Sequence, residues 1–345
     1  MRMTFRWFGP SDPITLQHIR QIPGVEGIVS SAFDVPSDEV IPKETVLELK
    51  AMIEKEAMSL DCFESIPVHE NIKLGCEDRD RYIDIWLDSL RNVASAGVNT
   101  VCYNFMLAFD WLRTDLAMRL PDGSTTMQYQ DSEVAKMDMT GDIPAWSQKY
   151  TAETLTEMLE KSRAVSVEQL WANLEYFLKA VVPVAEELGV KLAIHPDDPP
   201  WPVLGINRII TGAENLERFV KLVDSPSNGL GLCTGSLGAN PENDIPAMIR
   251  RFGGMDRINF MHVRNLKHTG EKEFHETAHY SSCGNLDMYE IIRSIHEVGY
   301  DGPLRPDHGR DVWGEERTPG YGLYDRAMGV NYILGLWEAI DKASS

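Results

Sequence analysis

Short apolar runs alternate with longer amphipathic stretches along this chain, and that rhythm constrains its fold more than any other feature. Runs at 4–8, 27–33, 60–66 and 98–106 read as strands, and the pattern resumes at 191–194, 229–233, 258–263 and 303–306. Between them lie helical periods. Residues 43–57 place Val46, Leu49, Ile53 and Ala57 at spacings of three and four, which is one apolar helix face. Stretches at 14–22, 79–96, 167–188, 245–252, 286–298 and 324–340 are also read as helices. Ser11 or Asp12 is placed to cap the first, Thr211 and Glu214 have capping-box spacing, and Gly97 and Gly189 stand where helices end.

Eight strands separated by helices require a parallel sheet, and the count favours a closed (β/α)8 TIM barrel over an open doubly wound sheet. No G-x-G-x-x-G follows the first strand, which weakens a dinucleotide-binding reading. A chain of 345 residues could hold two average domains, but barrels commonly exceed about 250 residues as one. The expectation is an α/β fold, one barrel domain over 1–345, with a long helical insertion after strand four at about 107–163. That insertion is rich in Asp, Met, Thr and Gln without a clear period. Leaving from a strand C-terminus, it should emerge beside the active-site mouth as a cap.

Four strand ends carry chemistry. His195, Cys233, His262 and Asp307 stand at or next to the ends of strands five, six, seven and eight, so a barrel would make them converge. Singly, each has an ordinary explanation: a hydrogen-bonded core histidine, a small buried thiol, an aspartate paired with an arginine. Together, two imidazoles, a thiolate and a carboxylate suit Zn, Fe(II), Co or Mn, and suit Ca or Mg poorly. The last strand end, Arg305-Pro306-Asp307-His308-Gly309-Arg310, packs an acid, an imidazole and two guanidiniums into six residues.

A rival motif is His275-Glu276-Thr277-Ala278-His279, an H-E-x-x-H match to zinc proteases. That chemistry needs a helix, whereas Ser281-Ser282-Cys283-Gly284 follows at once, so the segment reads as the seventh strand-to-helix loop, with either histidine free to contact substrate. A net charge of −20 argues against nucleic acid and anionic membrane as partners, and an anionic substrate would need a metal or arginines to bind. Five cysteines without C-x-x-C or framework spacing read as reduced thiols. With no signal-peptide pattern and no run of about 18 apolar residues, the expected location is the cytoplasm.

The segments His195-Pro196-Asp197-Asp198-Pro199-Pro200, Cys233-Thr234-Gly235-Ser236, His262-Val263-Arg264-Asn265, Phe274-His275-Glu276, Arg305-Pro306-Asp307-His308-Gly309 and Gly320-Tyr321-Gly322 resemble the signature segments of the mannonate dehydratase family, in order and over essentially the whole chain. The resemblance implies a xylose-isomerase-like barrel and a divalent metal, Mn2+ first, with Fe2+ or Co2+ as alternatives. It implies dehydration of D-mannonate to 2-keto-3-deoxy-D-gluconate in hexuronate breakdown. His195, Cys233, His262 and Asp307 match the family's ligands, and His308 and Tyr321 its acid–base residues. Arg264, Asn265, Arg305, Arg310 and His275 are candidate substrate contacts, each arginine being equally able to pair with nearby acids. Asp197 and Asp198 could support the site or form a turn. A homo-oligomer, dimer or higher, is expected. The alternative is a metal-dependent sugar isomerase or epimerase on the same barrel.

Overall fold

The structure, a computed structural model, describes residues 1–134, 136–137 and 152–344. Its strands in chain order are β1 (Arg2–Arg6), β2 (Gly27–Ser30), β3 (Ser59–Glu64), β4 (Thr100–Tyr103), β5 (Asp115–Arg119) and β6 (Thr125–Gln130). They continue as β7 (Lys191–Ile194), β8 (Asn228–Cys233), β9 (Ile258–Val263), β10 (Asn265–Gly270), β11 (Glu273–Thr277) and β12 (Pro303–Pro306). Eight of them form a closed parallel barrel in the order β1-β12-β9-β8-β7-β4-β3-β2. These are the eight expected strands, and β7, β9 and β12 have the expected bounds.

Val29, Cys62, Cys102, Ala193 and Phe260 pack as one internal cluster drawn from five strands, a single ring filling the space its neighbours leave. At Gly231 a Cβ would stand 3.3 Å from Ile194 O and 3.4 Å from Cys102 Sγ, so β8 packs tightly against its neighbours there. Outside, helices bury one stripe each; Lys43–Lys55 turns Val46, Leu49 and Ile53 inward. Helix Val167–Leu188 is capped by Ser166 and ended by Gly189 at φ 68°.

Two expected caps are corrected. Thr15 caps the first helix, while Asp12 accepts from Phe8 N and Ile14 N and so shapes the preceding turn. Gly212, without a side-chain cap, opens helix Ala213–Leu222, and Thr211 Oγ1 instead accepts from Asn215 Nδ2.

The larger correction concerns 107–163. It is only partly helical, with Asp131–Val134 and Ala152–Ala164, and it also contributes β5 and β6; residues 135 and 138–151 of the expected insertion lie outside the described residues. H-E-x-x-H is likewise no loop, because His275, Glu276 and Thr277 lie on β11. The two hairpins meet in a four-stranded antiparallel sheet, β10-β11-β6-β5, with Phe274 opposite Tyr129 and His275 opposite Gln128. Among the described residues no helix is long and apolar enough to cross a membrane.

Candidate metal centre and active site

Strand register assembles the first half of the site. Cys233 pairs with His262 across β8 and β9, and Arg305 pairs with His262 across β9 and β12, so all three reach the same level of the barrel mouth. His195 follows β7 directly. Among the described residues His195, Cys233 and His262 form a group able to hold a cation, their donor atoms lying within 4.8 Å of one another. His195 Nδ1 lies 2.6 Å from Pro196 O. A carbonyl only accepts, so Nδ1 carries a proton and Nε2 is the nitrogen left to face Cys233 and a cation. Burial would raise the Cys233 thiol, but Arg264 and hydrogen bonds from His195 and His262 hold it well below the ordinary thiol range, favouring thiolate. His262 Nε2 is buried without a well-directed hydrogen bond, although Glu64 Oε1 is 3.2 Å away. Two imidazoles with a thiolate fit a borderline-soft divalent metal.

Asp307 stands beside this group, Oδ2 lying 3.5 Å from Cys233 Sγ, and is outside the three-residue cluster. Its oxygens accept from Arg264 Nε and Arg305 Nη1, each at 2.8 Å.

Behind the mouth lies a buried lattice of charge. Arg113 donates through Nη1 and Nη2 to the two oxygens of Asp198, at 2.8 and 3.1 Å, and Arg264 Nη2 reaches Asp198 Oδ2 at 2.7 Å. Ser236 Oγ contacts both Asp198 Oδ2 and Cys233 Sγ at 3.1 Å, joining this lattice to the metal group. Glu276 Oε1 accepts from Arg113 Nη2 at 2.6 Å, Arg264 Nη1 at 3.1 Å and His308 Nδ1 at 2.8 Å. Burial alone would raise the Glu276 carboxyl, but His308, Arg264 and Arg113 hold it at about 2. On the far side, Glu64 meets Arg6 at 2.8 Å and Arg305 at 3.2 Å.

His308 Nε2 lies 2.9 Å from Tyr321 Oη. Burial pushes Tyr321 up to about 12 against the pull of Arg305, so the phenol keeps its proton at neutral pH. The Tyr321 backbone is clamped by Arg326, whose Nη2 donates to Tyr321 O at 2.6 Å and whose Nη1 donates to Arg6 O at 3.2 Å. Tyr321, His308, Asp307, Arg305, His262 and His195 all line one cavity of about 850 Å³. Asp110, Trp111 and Leu116 line it too, so the segment after β4 does emerge at the mouth.

Of the candidate substrate contacts, only Arg305 lines this cavity. Arg264 is fully buried in the charge lattice, and Arg310 pairs with Asp122 and Asp325. Asn265 donates to Tyr280 O and accepts from Leu266 N and Leu286 N, a loop-bracing role. His275 is buried on β11 with Nδ1 3.0 Å from Glu276 O, and His279 Nε2 lies 2.9 Å from Val263 O, so neither stands free as a loop histidine would. Sequence reasoning passed over Arg6, Glu64, Arg113 and Glu276. Arg6 and Glu64 end β1 and β3, the very signal that singled out His195 and Cys233. Asp198, ambiguous between support and turn, is ion-paired with Arg113 and Arg264 in this lattice.

The family model for D-mannonate dehydratase (UxuA) matches residues 1–345. A mannonate dehydratase of Thermotoga petrophila is 55% identical over 355 aligned residues, covering 99% of this chain and 98% of that protein. Mannonate dehydratase 2 of Halalkalibacterium halodurans is 50% identical, covering 99% of this chain and 100% of the relative. The crystal structure of mannonate dehydratase from Streptococcus suis serotype 2 superposes with TM-score 0.94 at 48% identity, covering 100% of this chain and 96% of that one. A D-psicose 3-epimerase structure reaches TM-score 0.58 at 13% identity, a likeness of fold alone. With a full-length family match and relatives at this identity, the chain belongs to the mannonate dehydratase family.

Proposed function

We propose that this chain is a metal-dependent hydro-lyase that converts D-mannonate to 2-dehydro-3-deoxy-D-gluconate and water in hexuronate catabolism. The observation that carries this reading is the cavity lined together by His195 and His262, whose donor atoms lie near Cys233 Sγ, and by the hydrogen-bonded pair His308 and Tyr321, in a chain of this family. In the reaction the C2 proton and the C3 hydroxyl leave as water, and the enol that remains becomes the 2-keto acid by losing its C2 hydroxyl proton and taking one at C3.

His195, Cys233 and His262, with Asp307 beside them, would hold a divalent cation, Mn2+ in this reading, and that cation would supply Lewis acidity for the negative charge that builds on the substrate. His308 and Tyr321 handle the two protons, one group accepting from C2 and the other donating to the departing hydroxyl. Arg305, on the cavity wall and already charged, orients the substrate's anionic end. Arg264 acts from behind, holding Asp307 and Glu276. The chain works as one domain over 1–345, since Arg113 from the segment after β4 is ion-paired with Asp198 after β7 and Glu276 on β11.

Incubating metal-loaded protein with D-mannonate and assaying 2-keto acid tests the reading. An isomerase or epimerase would return a product of unchanged mass, and that result would replace the dehydratase assignment.

A further inference from the structure

We propose that Glu276 is a positioning residue for proton transfer: its carboxylate decides which nitrogen of His308 carries the ring proton and turns the other toward Tyr321. This rests on the reading of His308 and Tyr321 as the proton-transfer pair. Glu276 is fully buried and does not line the cavity, so it acts through His308 and not on substrate.

The geometry leaves His308 little choice. An ionised carboxylate only accepts, so the contact from Nδ1 to Glu276 Oε1 at 2.8 Å puts a proton on Nδ1. In the neutral ring Nε2 then holds a lone pair, directed at Tyr321 Oη 2.9 Å away. Trp111 lies over the imidazole with ring centroids 5.1 Å apart, and Tyr321 meets it edge-on at 4.8 Å. A proton leaving Tyr321 Oη can pass to His308 Nε2, giving a phenolate and an imidazolium whose Nδ1–H already faces a fixed negative charge. Glu276 keeps its own charge throughout. With the other tautomer, Nε2–H would donate to Tyr321 Oη, and the phenol proton would have no acceptor on His308.

Glu276 is itself held from three sides. Arg113 and Arg264 donate to its carboxylate, and Thr126 Oγ1 donates to its backbone carbonyl at 2.9 Å. Arg113 and Thr126 both belong to the segment between β4 and β7, Thr126 on β6 itself, and Glu276 belongs to β11. The antiparallel sheet is thus the device that brings an anion to the back of His308 from outside the barrel.

The test reads the tautomer directly. Protein labelled with 15N-histidine and loaded with diamagnetic Zn(II) is observed by long-range 1H–15N correlation at the pH of the activity assay, and the His308 signals are identified by their loss in His308→Asn. Expected in the parent is a proton on Nδ1 and none on Nε2. In Glu276→Gln the proton should move wholly or partly to Nε2, kcat should fall by about 10²–10⁴-fold, and KM should stay within about three-fold. A proton on Nε2 in the parent, with or without one on Nδ1, overturns the proposal, as does a Glu276→Gln variant with unchanged tautomer and near-parental kcat. If that variant does not fold, the parent spectrum alone decides. The spectrum needs no substrate, so a parent that makes no 2-keto acid would sink the dehydratase reading and leave this one to be judged separately.

Discussion

The two halves of the site are built by different means. On one side, His195, Cys233 and His262 sit at the ends of adjacent parallel strands, and ladder register alone sets their spacing. On the other, His308 and Tyr321 come from the stretch after β12, and what holds them arrives from a distance: Glu276 on β11, Arg113 from the segment after β4, Arg326 from the last helix. The barrel-borne half can form wherever the barrel forms. The second half needs an extra sheet and a lattice of buried charges, in which losing one partner leaves another unpaired. Metal capture should therefore survive damage to the second half, while turnover should not survive damage to either.

The largest effect should come from removing the metal. Chelator-treated protein should be inactive, and Mn(II) should restore it better than Mg(II), since imidazole and thiolate disfavour Mg. Full activity in EDTA would break the comparison at its root. Cys233→Ser should lower metal content by elemental analysis while the circular dichroism of the barrel is unchanged. Unaltered occupancy would make Cys233 a core thiol.

Next come His308→Asn and Tyr321→Phe, each expected to keep its metal and lose about 10²–10⁴-fold in kcat. Their combination should cost little more than either alone if they act as one unit. Hydrogen exchange into C2 of recovered substrate then separates the roles. A variant that exchanges without forming product has lost the acid, and one that does neither has lost the base. Near-parental turnover in both would leave the metal group standing and remove the pair.

Arg113→Met tests the lattice. It strands Asp198 and Glu276 on one side, and thermal or urea unfolding should show a loss of about 3–5 kcal/mol with metal content preserved. Parental stability would mean the lattice relaxes around the vacancy. The smallest effect is expected at Ser236, which touches both halves. Ser236→Ala should cost about 1 kcal/mol of stability and at least about ten-fold in metal affinity. A competition titration showing unchanged affinity would say that the halves are not coupled through that hydroxyl.

The same division explains what the sequence made legible. Barrel strands such as Ile258–Val263 are buried along their whole length, so they appear as mainly apolar runs with their functional residue at or next to the end. Helices Lys43–Lys55 and Val167–Leu188 announced themselves by period and caps. The antiparallel sheet did not. Glu273–Thr277 is five residues with a single aliphatic or aromatic apolar member, Phe274, and its partner β6 lies far away in sequence. A motif that resembled a protease helix thus concealed a strand, and the glutamate of that motif is the residue at the back of His308. Arg113 was invisible for the same reason, since nothing local to it hints at Asp198 or Glu276.

That sheet also imposes an order on biosynthesis. β5 and β6 leave the ribosome about 135 residues ahead of the hairpin they pair with, which at roughly 5–20 residues per second is a wait on the order of ten seconds. During that time β6 presents an unpaired edge, the situation in which nascent strands find wrong partners. The edge on offer is Thr-Thr-Met-Gln-Tyr-Gln, in which Thr126, Met127 and Tyr129 end up buried and Thr125, Gln128 and Gln130 stay partly exposed. That segment carries no charge, no proline and no glycine, the composition of an edge prone to wrong pairing, so its docking against β11 also removes a hazard from the finished chain.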